Sequence, residues 1–292
     1  MSAFAPDHLL PHGTVVQHTY TVQSVLGAGA FSVVYEVRHR FLGPQAMKVF
    51  RVGAGAPSVD DILNEARILA DLVDPHVVRV FEANTVTLAD KERPYMTMEL
   101  VRGGSLEGFL ERKIRLNPLS SLKTARQICS GLAAAHRLQP PVVHRDVKPQ
   151  NVLIYAVSIH GTPQVKVGDF GLARHVAPES RMATAAGSLH YLAPEAVWGI
   201  HSLAGDVYAA GVVLYRMLTG VFPFPVFETA ESLESLRARR EAPPPPSRLR
   251  LGLPAQIDGV VARALAPDPA ARYSDAIMFG AQLEHVIEEF TH

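Results

Sequence analysis

Between residues 20 and 51 the chain mixes β-branched and aromatic residues with polar ones, and glycines punctuate it at Gly27-Ala28-Gly29 and Leu42-Gly43-Pro44. This pattern predicts three successive strands, 20–26, 33–39 and 45–51, with the glycine clusters as turns. Ser58, with Asp61 three residues on, predicts a helix over 59–72 whose apolar stripe is Ile62, Ala66 and Leu69. Glu65 falls three residues after Ile62 and four before Leu69, on that same face, so its carboxylate needs a cation. Two further strands, 77–82 and 94–99, are expected around a charged turn at 90–93, giving the order β-β-β-α-β-β. Beyond Arg102-Gly103-Gly104 the period becomes helical, at 105–111, 120–136, 204–219, 255–266 and 273–289. A strand pair, 152–156 and 165–168, interrupts it. The expected organisation is a loose leader, 1–18, a β-rich part, 19–101, and a mainly α part, 102–292.

A chain of 292 residues can bury a large core, as one bilobal domain or two ordinary ones. Hydrophobic residues at 48% against 19% charged exclude a disordered chain. Lys+Arg and Asp+Glu are both 28, so the balance shows no nucleic-acid footprint and any phosphate binding must be local. One cysteine, Cys129, in a helical setting, reads as a buried thiol in a reducing compartment, and the expected location is cytoplasmic. The first thirteen residues lack the pattern of a signal peptide, and the apolar run 207–215 is too short to span a bilayer. Pro243 to Pro246 read as a stiff connection between helices. The 13 histidines show no paired metal spacing, so no zinc is expected.

Phosphoryl transfer needs an oriented hydroxyl, neutralised phosphate oxygens and divalent metal. Leu26-Gly27-Ala28-Gly29 joins two strands, where absent Cβ atoms let backbone N–H groups approach the phosphates of ATP. A dinucleotide fingerprint would open a helix here, and a strand follows instead. Lys48, on the third strand, can reach the α and β phosphates, and Glu65 is its expected partner. The run His144-Arg145-Asp146-Val147-Lys148-Pro149-Gln150-Asn151 and the later Asp169-Phe170-Gly171 supply the rest. Asp146 is placed to orient the substrate hydroxyl and Lys148 to stabilise the γ-phosphate. Asn151 and Asp169 are expected to hold two Mg²⁺ ions through oxygen.

With these residues the chain, from about Tyr20 to Phe290, resembles the eukaryotic-type protein kinase family. The resemblance implies an α+β, bilobal protein-kinase-like fold, with a small β-rich N-lobe carrying one main helix and a larger, mainly α C-lobe, in a single domain 19–290. It implies Val34, Ala46 and Leu153 around the adenine ring, Met98 behind it and Glu99 to Val101 as the hinge. By the same resemblance Ala193-Pro194-Glu195 closes a segment begun at Asp169, and Arg272 pairs with Glu195. Asp206 and Gly211 read as structural residues of the central helix.

Lys148 to Asn151 and Gly187-Ser188-Leu189-His190-Tyr191 resemble serine/threonine kinases, and the general style is similar to the bacterial branch. ATP, Mg²⁺ and protein substrates carrying serine or threonine are the implied cofactors and partners; a homodimer stays open. Ser188 stands where the family usually has threonine and is expected to bond near Asp146 and Lys148. Arg145 implies a switch in which phosphate on Thr184, added by the enzyme itself, orders the segment. Ser32 departs from the third glycine of the loop. The alternatives are a nucleotide-binding pseudokinase or scaffold module, whose usual sign is loss of Lys48, Asp146 or Asp169, and a small-molecule kinase, which lacks a segment like 187–195.

Overall fold

A computed structural model of the chain describes residues 10–29, 32–51, 58–88, 91–170, 188–225 and 241–291, apart from the side chains of Glu65, Ser188 and Thr291. Among the described residues, 10–73 and 78–100 form one unit, and 74–77 with the residues from 101 onward form the other.

The first unit is an antiparallel sheet of six strands: β1 (Val15–Val16), β2 (Tyr20–Ala28), β3 (Ser32–His39), β4 (Gly43–Phe50), β5 (Val80–Leu88) and β6 (Lys91–Met98), in the order β1-β2-β3-β4-β6-β5. The period of two sorts its faces. Val33, Tyr35 and Val37 of β3 and Met47 and Val49 of β4 join Tyr20, Val22 and Tyr95 in one core cluster. Ala46, Lys48 and Phe50 take the opposite face of β4 and are also buried, so this strand is covered on both faces. Helix α1 (Val59–Ala70) begins in the expected capping box, with the Ser58 hydroxyl accepting from the Asp61 N–H, and packs against β5 and β6.

Two expectations are corrected here. Residues 10–17 are not a loose leader: Leu10 and Val16 enter the core cluster, Gly13 N–H donates to the Val22 carbonyl, and Val15 and Val16 pair with Thr21 and Tyr20. A two-residue strand has no alternation to detect, and its hairpin turns on Gln17 and His18, non-glycine residues at φ 50 and 53. The charged stretch from Lys91 to Arg93 is strand, not turn, since pairing continues to Leu88 opposite Lys91.

The second unit comprises α2 (Leu106–Lys113), α3 (Pro118–His136), α4 (Leu203–Thr219), α5 (Ala255–Ala264), α6 (Ala276–Thr291) and a two-stranded sheet of β7 (Val152–Val157) and β8 (Pro163–Val167), with α2 packed on β7 and α3 on β8, α4 and α6. Asn117 caps α3, with Pro118 at its first turn, and Ser202 caps α4. Val77 was expected to start a strand of the first sheet. It instead bridges Val167 of β8, and His76 lies so close to α3 that a Cβ on Gly131 would meet the His76 carbonyl oxygen at 2.5 Å. The proline run ends in a helical turn, Pro246–Leu249, with Tyr215 Oη donating to the Pro244 carbonyl. Among the described residues no helix is long and apolar enough to cross a membrane.

Candidate active site

The run from His144 to Lys148 lies outside helix and strand, so its backbone donors need partners from elsewhere. Asp206, in the first turn of α4, provides them. Its Oδ2 accepts from the His144 N–H at 2.7 Å and its Oδ1 from the Arg145 N–H at 2.9 Å. A third donor is His136 Nε2, 3.0 Å from Asp206 Oδ2. His136 Nδ1 accepts from the Ala276 N–H, so the ring is the neutral Nε2–H tautomer and the contact is a hydrogen bond, not an ion pair. Asp206 is 2% exposed, and a buried carboxylate is tolerated only when its oxygens are occupied in this way.

The loop then turns through Arg145 at φ 68. The ring of His144 is buried, with Nδ1 accepting from the Asp146 N–H and Nε2 donating to the Gly168 carbonyl at 3.0 Å. It also lies 4.5 Å from the Phe170 ring, so this side chain ties the loop to the segment carrying Asp169. Asp169 itself is exposed, at φ 60, a conformation a non-glycine residue adopts only when its surroundings hold it there.

Three of the expected residues meet within this loop. Lys148 Nζ lies 2.7 Å from Asp146 Oδ2, and Asn151 Nδ2 donates to the same oxygen at 3.0 Å and to the Asp146 carbonyl at 2.8 Å. Using Nδ2 for both bonds fixes the orientation of the Asn151 amide and leaves Oδ1 outside them. An amide oxygen with the Asp169 carboxylate is a donor set that suits Mg²⁺, a hard cation that prefers oxygen. The Asp146 side chain is 34% exposed and that of Lys148 18%, so the carboxylate remains within reach of a substrate hydroxyl.

The expected nucleotide-binding residues divide between the units. Leu26, Gly27, Ala28, Gly29, Val34, Ala46, Lys48, Met98 and Glu99 belong to the first, Val101 and Leu153 to the second. The tail of β2 is exposed after two register shifts, Gly29 N–H donates to the Ser32 carbonyl, and nothing lies within 4 Å of a Cβ on Gly27. Lys48, 7% exposed, stands in register between Val34 and Met96, with Nζ 5.6 Å from the Phe50 ring centre. Ala46 pairs with Met98. The side chains of Glu65 and Ser188 lie outside the described residues, as does Thr184 altogether, so the pairing of Lys48 with Glu65 and the phosphate switch are not placed. The expected partner of Glu195 is in place: Arg272 grips both its oxygens, at 2.7 and 2.8 Å, and adds bonds to the Ala266 and Pro267 carbonyls.

In the sequence Asp206 reads only as structural, and His136 as one of 13 histidines without paired metal spacing. No local signal marks either, because Asp206 meets its partners across 61 to 70 residues of chain.

A six-stranded sheet with one main helix, followed by a helical unit bearing this loop, defines the protein kinase fold. The chain matches the family Protein kinase domain over residues 20–285 and belongs to it. It is 38% identical over 278 residues to the serine/threonine-protein kinase PknL of Mycobacterium tuberculosis (strain ATCC 25618 / H37Rv), covering 92% of this chain and 66% of that protein. It is 35% identical over 277 residues to PknB of the same strain, covering 91% of this chain and 42% of that protein. The chain therefore spans just under two thirds of one bacterial kinase and well under half of the other. Among solved structures, the Mycobacterium tuberculosis PknI kinase domain matches with a TM-score of 0.71 at 26% identity, over 95% of this chain and 99% of that one.

Proposed function

We propose that this chain is a protein serine/threonine kinase that moves the γ-phosphoryl group of ATP, with Mg²⁺, onto serine and threonine hydroxyls of proteins. Residues 19–101 and 102–292 are its two lobes, in one catalytic domain, 19–290. The observation that carries the reading is the Asp146 carboxylate, touched by both Lys148 and Asn151, on a loop whose preceding N–H groups are bonded to Asp206. A loop held in this way is organised before substrate arrives, which positioning-dominated catalysis requires.

Asp146 accepts the proton of the attacking hydroxyl as its oxygen bonds to phosphorus and the bond from that phosphorus to the β–γ bridging oxygen breaks, releasing ADP. Lys148, already beside Asp146, meets the charge of the transferred group. Asn151 and Asp169 hold the metal, which neutralises phosphate oxygens when bound. Lys48, with Glu65 as its partner, orients the α and β phosphates, and Leu26 to Gly29 cover them. Val34, Ala46, Met98, Glu99, Val101 and Leu153 take the adenine. Arg145 and Ser188 order the segment in which Thr184 is the proposed autophosphorylation site. A cytoplasmic setting suits Cys129, whose thiol is buried and pushed up by that burial, away from the reactive thiolate.

Incubation of the protein with Mg²⁺-ATP, followed by intact mass and phosphosite mapping, tests the reading beside Asp146→Asn and Lys48→Met. Phosphate on Thr184 or on added protein, absent from both variants, is the expected result. ATP binding without any transfer would support the scaffold reading, towards which the departure at Ser32 points.

A further inference from the structure

A second polar cluster lies in the helical unit and takes no part in phosphoryl transfer as proposed. Arg216, on α4, presents its guanidinium edge to Glu107 on α2, with Nη1 donating to Oε2 at 2.5 Å and Nη2 to Oε1 at 2.8 Å. Nη1 also donates to the Tyr191 hydroxyl at 2.6 Å. Phe222 lies against the assembly: the Arg216 guanidinium is 5.0 Å from its ring centre, the Tyr191 ring 5.5 Å and the His190 ring 4.6 Å. The side chains of Arg216 and Glu107 are 15% and 18% exposed, so most of the water has been removed from both charges. Burial alone would lower the Arg216 pKa, but its bonds to Glu107 and Tyr191 outweigh that and raise it; burial raises Tyr191 as well. The cluster therefore keeps a charged guanidinium against a neutral phenol at any ordinary pH.

Holding two charges out of water gives little net stability, since apolar side chains of similar volume can do as well. What a two-bond fork adds is direction, because it is satisfied in only one register. The elements it joins give that direction a use. Tyr191 ends the 3₁₀ turn Ser188–Tyr191, and Ser188 at the start of that turn is the residue proposed to bond beside Asp146 and Lys148. Helix α2 packs against the turn Pro149–Asn151, which carries Asn151. Helix α4 holds the loop before Asp146 through Asp206 and the 188–191 turn through Arg216, about 15 Å further along its axis.

We infer that Arg216 is a positioning residue for the protein substrate, fixing the 188–191 turn against α2 and α4 so that the hydroxyl-bearing chain meets Asp146 in register. This rests on the kinase reading above. Nucleotide handling depends on other residues, so loss of Arg216 separates phosphorylation of protein from use of ATP.

The test compares wild type with Arg216→Met, Arg216→Lys, Glu107→Gln and the exchanged pair Glu107→Arg with Arg216→Glu. It measures kcat and KM for dephosphorylated casein and for ATP, ATP hydrolysis without casein, and thermal midpoint. Arg216→Met is expected to lower kcat/KM for casein by about tenfold or more, chiefly through KM, with the KM for ATP and the hydrolysis rate within about twofold of wild type. Arg216→Lys and the exchanged pair recover part of that loss, and Glu107→Gln, which keeps the shape, shows a smaller one. Unchanged casein kinetics in Arg216→Met overturns the inference. So does a parallel fall in casein phosphorylation and ATP hydrolysis that follows the thermal midpoint, because that marks a structural role alone. A wild type that transfers no phosphate, matching Asp146→Asn, removes the kinase reading itself and is distinguished from an active wild type that Arg216→Met merely equals.

Discussion

Glu82 in the first unit and Asp206 in the second each gather three donors, and the two carboxylates do different work. In the first unit Glu82 accepts from Tyr20 Oη at 2.5 Å, from Tyr95 Oη at 3.3 Å and from Asn84 Nδ2 at 3.2 Å. The two tyrosine rings meet edge-on at 6.2 Å, and burial, then the bond to Glu82, pushes the Tyr20 phenol up to about 12. All of these donors are side chains, because the backbone around them is already paired within the sheet. Two of the three donors to Asp206 in the second unit are backbone N–H groups of a loop with no ladder of its own. A carboxylate beside a sheet trims packing that exists without it. A carboxylate under an irregular loop stands in for secondary structure, and through Asp146 that loop carries the proposed chemistry.

The sharpest way to break this contrast is Asp206→Asn. An amide cannot accept from three donors while turning its own NH₂ away from all of them, so a backbone N–H or His136 loses its partner. Phosphorylation of protein should fall about a hundredfold, with roughly 3 kcal/mol of stability lost, read by steady-state rates and urea unfolding. Activity near wild type would show that the loop keeps its shape without Asp206.

Glu82→Gln should cost less, about 1.5 kcal/mol on unfolding, with kcat unchanged, because the sheet retains its backbone pairing. A drop in kcat larger than about threefold would mean that the tyrosine cluster reaches the chemistry and that the contrast is false.

The smallest effect separates location from task. Asp275 belongs to the helical unit but serves a regular element: its Oδ1 accepts from the Ile277 and Met278 N–H groups at the start of α6. Burial would raise its pKa, but these bonds and the Ser274 hydroxyl lower it below the ordinary 3.8. A carboxyl with a depressed folded pKa contributes stability in full above its unfolded value and loses it as pH falls through the folded one. Asp275→Ala should therefore cost about 1 kcal/mol at pH 7, a gap in thermal midpoint that closes below about pH 4, with no change in kcat. If the gap persists in acid, the carboxylate is not its source.

Much of the fold was legible because it is written in short-range patterns. The expected strands and helices fall within a few residues of those observed where periodicity is strong, as in α3 and α4. The capping box at Ser58 was visible for the same reason. The misreadings occur where that signal is missing: two-residue β1 beside non-glycine residues at positive φ, the charged strand residues from Lys91, and Val77, whose bridge partner Val167 lies far along the chain in β8.

Asp146, Lys148 and Asn151 lie within one short loop, so the sequence by itself determined that they could meet, just as it determined the alternating strands and the membership of the protein kinase family. Tertiary structure alone decided what holds that loop. Asp206 reaches His144 across 62 residues, and Arg216 reaches Glu107 across 109. Such pairs carry no periodicity, because a side chain's partner is set by where helices pack and not by its neighbours along the chain. The physical reason is that a buried charge is tolerable only where folding has already gathered its donors, and that gathering happens in space.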